Sequence, residues 1–129
     1  MNETRHLSYD VLNSLKDIME DDFVLLIDTF IQDSQSRLQA LQELVGGNDS
    51  DSLHLDSIRL DSIRLDSIRR DAHSFKGSCS NLGALRLASF CAVLESKALN
   101  KDAADLGVDL ADIKEEFFIV RKMMLDFIA

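Results

Sequence analysis

Between residues 106 and 127 the apolar side chains Leu106, Leu110, Ile113, Phe117, Val120, Met124 and Phe127 recur at alternating steps of four and three residues. That spacing places them on one stripe of a helix, and so continuous a stripe must be covered along its length by other helices. The rest of the chain leaves little room for another fold. It contains no proline and only five glycines, so it has few of the residues that break helices or form tight hairpins. A length of 129 residues suffices for one core, and 46% hydrophobic content with 6% aromatic residues and no tryptophan suits packing between helices. The expectation is an all-α fold with a single domain over residues 1–129.

Four further stretches complete the reading. Ser8 can cap a short first helix with Val11, Leu12, Leu15, Ile18 and Met19 on its inner side. Asp21 or Asp22 opens a second helix, in which Phe23, Ile27, Phe30, Leu38, Leu41 and Val45 point inward until Gly46 and Gly47 stop it. A third carries His73. Leu87, Cys91, Leu94 and Ala98 line a fourth that ends near Asn100. Four long helices joined by short loops, with the short N-terminal helix over one end, predict an up-down-up-down four-helix bundle.

On the third helix, at about 100° per residue, Leu65, Ile68, Ala72, Phe75, Cys79 and Leu82 fall on one apolar stripe. His73 lies roughly 120° from its centre, beside Arg69, Lys76, Gly77 and Ser80, and should therefore face solvent. Helical side chains lean toward the N-terminus, so a side chain at position 77 would cover the turn that carries His73, and glycine leaves the imidazole open. Glycine within a helix costs about 1 kcal/mol relative to alanine. Access to His73 by something bulky supplies a reason for it. Lys76, one turn away, could stabilise an added phosphoryl group through charge-assisted hydrogen bonds. Taken singly, Lys76 reads as a solvated lysine, Ser78 as a packing residue, and Asn81 and Gly83 as the end of a helix. The joint spacing makes the case, and His6 and His54, which lack it, read as ordinary surface residues.

The stretch AHSFKGSCSNLGALRL, residues 72–87, resembles the histidine-containing phosphotransfer (HPt) domains of bacterial multistep phosphorelays, whose motif runs H-x-[FL]-K-G-[SA]-[SA]-x-x-[LM]-G. His73, Phe75, Lys76, Gly77, Ser78, Leu82 and Gly83 match it, and Cys79 replaces the usual Ser or Ala. More loosely the resemblance covers the whole chain and is nearest to the stand-alone HptB type. It implies that His73 accepts a phosphoryl group from the aspartyl phosphate of one receiver domain, that of a hybrid sensor kinase, and passes it to the receiver domain of a response regulator. Nε2 would be the reacting nitrogen, Lys76 would neutralise the phosphate, and Gly77 would admit the receiver. The resemblance also implies that the receiver supplies Mg²⁺, and that apolar residues beside His73 on the second and third helices form the docking surface.

Other functions are disfavoured by what the chain lacks. A net charge of −9 argues against nucleic acid or an anionic membrane as partner. No apolar run approaches the ~20 residues of a membrane span, and the start MNETRHLSYD does not resemble a signal peptide. A cytoplasmic protein is expected. There is no glycine-rich phosphate loop with which to bind ATP, so the chain should be a phosphotransfer intermediate with no cofactor of its own, not an enzyme. Cys79 and Cys91 lack metal-ligand spacing and read as buried reduced thiols, and the paired Glu-x-x-His motifs of a di-iron bundle are lacking, so no metal is expected. Two alternatives stand beside phosphotransfer: a non-phosphorylated adaptor or inhibitor that docks a receiver domain, and a helical oligomer built by the repeat described next.

Residues 51–70 read DSLHL, DSIRL, DSIRL, DSIRR. By the same resemblance one such unit would suffice, so residues 51–65 read as an insertion. If helical, these residues add about 1500° of turn, four turns plus about 60°, and lengthen the third helix by roughly 22 Å, which leaves the facing of His73 almost unchanged. Leu55, Leu60 and Ile63 do not share the core stripe. The repeat is then either a frayed extension held by pairs such as Asp61 with Arg64, each worth a few tenths of a kcal/mol, or a surface for self-association through residues 51–70.

Overall fold

The computed structural model describes residues 5–46 and 54–129, with the side chains of residues 54–61 outside that description. Helices α1 (Tyr9–Met19), α2 (Phe23–Gly46), α3 (His54–Asn81), α4 (Leu85–Leu99) and α5 (Leu106–Ile128) follow one another, with a short 3₁₀ turn at Glu20–Asp22. No strand occurs among the described residues. α2 packs on α3 and α5, and α4 also packs on α3 and α5, which closes a ring of four. Cross-contacts fix the directions. The Phe23 ring at the start of α2 meets Phe127 at the end of α5, Lys97 near the end of α4 pairs with Asp109 near the start of α5, and Lys101 just beyond α4 reaches Ser62 on α3. Neighbours are therefore antiparallel throughout, as in an up-down-up-down bundle.

The helices bury the stripes that their periodicity marks. The stripe residues Leu65, Ile68, Ala72, Phe75 and Cys79 of α3 and Leu82 just beyond it are all buried, on α4 so are Leu87, Cys91, Leu94 and Ala98, and on α5 the stripe residues Leu106, Leu110, Ile113, Phe117, Val120 and Met124. At about 1.5–3 kcal/mol for each large apolar side chain withdrawn from water, this core is what holds the helices together. Phe127 is only partly buried, stacked on Tyr9 at a centroid distance of 5.8 Å. α2 buries Phe23, Ile27, Phe30 and Leu41, partly covers Leu38 and Val45, and also buries Ile31 and Ser34. Ile18 departs from expectation, being 77% exposed. α1 covers only one end of the bundle, so its contact stripe is narrow, and Ile18 lies about 120° around the helix from Leu12, the one fully buried residue of α1.

Two caps seat α1. The Ser8 hydroxyl accepts from the Val11 N–H, and the Ser8 N–H donates to the Gly83 carbonyl at 2.9 Å. Gly83 sits at φ 79°, where an L side chain is strained, and a Cβ there would lie 3.0 Å from that of Val11 and 3.1 Å from that of Ser8. This glycine therefore makes the α3–α4 turn and also admits the N-terminal segment. The Ala84 N–H closes the turn onto the Cys79 carbonyl at 2.9 Å.

α3 runs without a break from His54 through the later pentads to the motif. Leu65 and Ile68 enter the core, while Ile63 is 56% exposed, as the wheel requires. Leu55, Leu60 and the expected Asp61–Arg64 pair lie outside the described side chains. In the last pentad Asp66 bridges Arg69 and Arg70 at 3.1 and 2.9 Å.

Candidate functional site

Because α3 and α4 form an antiparallel hairpin, positions a similar number of residues before and after the Leu82–Ala84 turn meet. His73 and Glu95 are such a pair. The imidazole Nδ1 lies 2.8 Å from Glu95 Oε2, and Lys76 Nζ lies 2.7 Å from Oε1 of the same carboxylate. One carboxylate thus holds both residues singled out on α3. Lys76, followed by His73, pulls the Glu95 carboxyl below the ordinary glutamate range, so it is ionised near neutrality.

An ionised carboxylate can only accept, hence Nδ1 must carry the proton, and in the neutral ring Nε2 keeps a lone pair. The ring is 63% exposed. An electrophile that bonds to Nε2 makes the ring cationic, and Glu95 sits where it would stabilise that charge. Lys76 is not idle in the resting chain, since its ammonium is already paired, but its long stem could carry it to an anion on Nε2. A Cβ on Gly77 would meet nothing within 4 Å. The fold itself therefore makes no steric demand for glycine there.

Arg69 and Arg70 lie on the same helix but are engaged with Asp66. Ser80 is exposed and Ser78 half-buried. His6 is not the ordinary surface residue expected. It is 19% exposed, its Nδ1 lies 2.7 Å from Glu116 Oε2, and Glu116 is itself buried against Arg86 at 3.5 Å. The long-range partner on α5 is invisible to local pattern. The His54 side chain lies outside the described residues. Cys79 and Cys91 are buried and unbridged. Among the described residues no cluster of His, Cys, Asp and Glu could hold a metal, and no helix is long and apolar enough to cross a membrane.

Residues 25–126 match the Hpt domain family. The chain belongs to that family. It is also similar in structure to histidine-containing phosphotransfer protein B (HptB) from Pseudomonas aeruginosa PAO1, with 36% sequence identity, a TM-score of 0.74, and coverage of 94% of this chain and 92% of that one. No curated protein matches it.

The span matched to the Hpt domain takes in nearly all of α2 to α5, and with them His73, Lys76, Gly77 and Glu95. Glu95 is the member of this candidate site that the motif did not supply. It lies twelve residues beyond Gly83, while His73 lies ten before it. Equal counting outward from Gly83 reaches Val93, so the pairing with Glu95 emerges only once the two helices are packed.

Proposed function

We propose that this protein is a phosphocarrier of a multistep phosphorelay, with His73 as the phosphoryl acceptor. The observation that carries the reading is the Nδ1 contact with Glu95, which selects the tautomer whose Nε2 is nucleophilic on an exposed ring. The Nε2 lone pair attacks the phosphorus of a receiver's aspartyl phosphate, the N–P bond forms, the P–O bond to the aspartyl carboxylate breaks, and the carboxylate departs with the electron pair. Passage to a second receiver is the reverse step on another aspartate. Phosphoryl transfer depends mainly on positioning and electrostatics. Glu95 holds the ring, Lys76 exchanges Glu95 for a phosphoryl oxygen, Gly77 leaves room for the receiver, and the receiver brings Mg²⁺.

The partners in this reading are the receiver domains of a hybrid sensor kinase and of a response regulator, and the setting is the cytoplasm. The chain acts without an ATP site or cofactor of its own. Residues 1–129 form one Hpt unit, with residues 51–65 an insertion that lengthens α3 and gives the chain a means of self-association. Exposed Ile63 supports that last element. Deleting residues 51–65 should leave a folded monomer, whereas the parent should sediment with a mass that rises with concentration. A parent that stays at 14.5 kDa would remove the association.

Transfer itself is tested by incubating the chain with a ³²P-labelled receiver and Mg²⁺, then adding a second receiver. Label should move onto this chain and then off it. A chain that binds the phosphorylated receiver but takes no label would instead be an adaptor.

A further inference from the structure

Phosphotransfer leaves two nucleophilic side chains unused, Cys79 on α3 and Cys91 on α4. Both are fully buried and neither is bridged. Cys79 is also the position at which the chain departs from the motif it otherwise matches. The hairpin turns at Leu82–Ala84, and the register that sets His73 against Glu95 brings Cys79 level with the α4 turn that carries Cys91. The Cys91 thiol is the chief influence that raises the Cys79 pKa, in keeping with the register that sets the two side by side. Ala84 and Ala88, both small and buried, lie at the same end of the hairpin, and a disulfide needs Cα atoms about 4.4–6.8 Å apart.

We propose that Cys79 and Cys91 are a modification site, a dithiol that closes to an intrachain disulfide and staples α3 to α4 below the His73–Glu95 pair. The oxidant is a two-electron acceptor such as an azodicarboxamide. One thiol loses its proton and adds through sulfur to the N=N bond. The second thiolate attacks that sulfur, the S–S bond forms as the S–N bond breaks, and the nitrogen compound leaves as the hydrazine, having gained two electrons and two protons. The neighbouring Cys91 thiol and then burial push the Cys79 pKa up, so the closed fold protects the pair and reaction follows opening of the hairpin. Once one sulfur is activated, its nearest thiol is the other cysteine. Closure is therefore intramolecular.

The full chain is incubated with diamide until amide hydrogen exchange, followed in parallel, shows that α4 has opened. Intact-mass spectrometry should show the loss of two hydrogens per chain, digestion should yield the peptides of Cys79 and Cys91 joined, and non-reducing gels should show monomer. The closed form should melt at a higher temperature, and dithiothreitol should reverse both changes. Cys79→Ser should lose no hydrogens. Free thiols remaining after α4 has exchanged would overturn the proposal, as would disulfide-linked dimers or single-thiol adducts as the main product. None of these readouts involves phosphate, so they stand or fall separately from the phosphocarrier reading.

Discussion

Among the described residues, two histidine–glutamate pairs have nearly the same geometry. His73 Nδ1 meets Glu95 at 2.8 Å, and His6 Nδ1 meets Glu116 at 2.7 Å. Each glutamate also has a cation near it, Lys76 in the first case and Arg86 in the second. What separates them is cover. The Glu116 carboxylate is 3% exposed and the His6 ring 19%, with the Arg86 guanidinium lying over the Phe90 ring, whereas the His73 ring is 63% exposed beside a glycine with empty space around it. The same hydrogen bond thus fastens the N-terminal segment to α5 in one place and, in the proposed function, prepares a nucleophile in the other. Chemistry at a histidine is decided here less by its partner than by what a second molecule can reach.

Substituting each glutamate by its amide should split this comparison most widely. Glu116→Gln removes a buried charge that faces two partners, and should destabilise the chain by about 1–3 kcal/mol, read from denaturant unfolding. Glu95→Gln should alter stability by less than about 0.5 kcal/mol, since its contacts lie at the surface. Its effect should appear in phosphoryl acceptance by His73, which slows because the ring loses the carboxylate that stabilises its developing charge. Equal stability losses would mean that the two pairs do the same work.

The two motif glycines sharpen the contrast at a smaller scale. Gly83→Ala places a side chain at positive φ against Ser8 and Val11, and should cost about 1–2 kcal/mol. Gly77→Ala meets nothing and should stabilise by up to about 1 kcal/mol. Gly77→Leu should keep the fold, as circular dichroism would show, while transfer from a receiver falls steeply. Transfer at the parent rate would sink the access argument.

Titration gives the smallest effect. The Glu95 carboxyl is held below its ordinary value chiefly by Lys76 and then by His73, so the folded state releases this proton more readily than the unfolded chain. The clamp's contribution is therefore present above the ordinary glutamate pKa and lost as pH falls through the depressed one. Carbon-detected NMR of Glu95 should show that lowered midpoint. Lys76→Ala should raise it further than His73→Gln does.

Much of this molecule could be read from its sequence because helix periodicity is a local property. The stripes of α3, α4 and α5 name their buried residues, and the motif marks His73, Lys76 and Gly77. Long-range partners carry no such signal. Glu95 and Glu116 look like any solvated glutamate until α4 and α5 are packed, and Ile18 satisfies the local pattern on a helix with too little bundle beneath it. Gly83 was legible as a turn, but its second role depends on Ser8, which arrives from the far end of the chain.

The most direct test is to map where the phosphate goes. After incubation with a phosphorylated receiver and Mg²⁺, the parent and the His6→Gln variant should both carry acid-labile, base-stable phosphate on the peptide containing His73, and His73→Gln should fold and carry none. Label on His6, or label persisting in folded His73→Gln, would contradict the assignment of the exposed pair as the phosphoryl site.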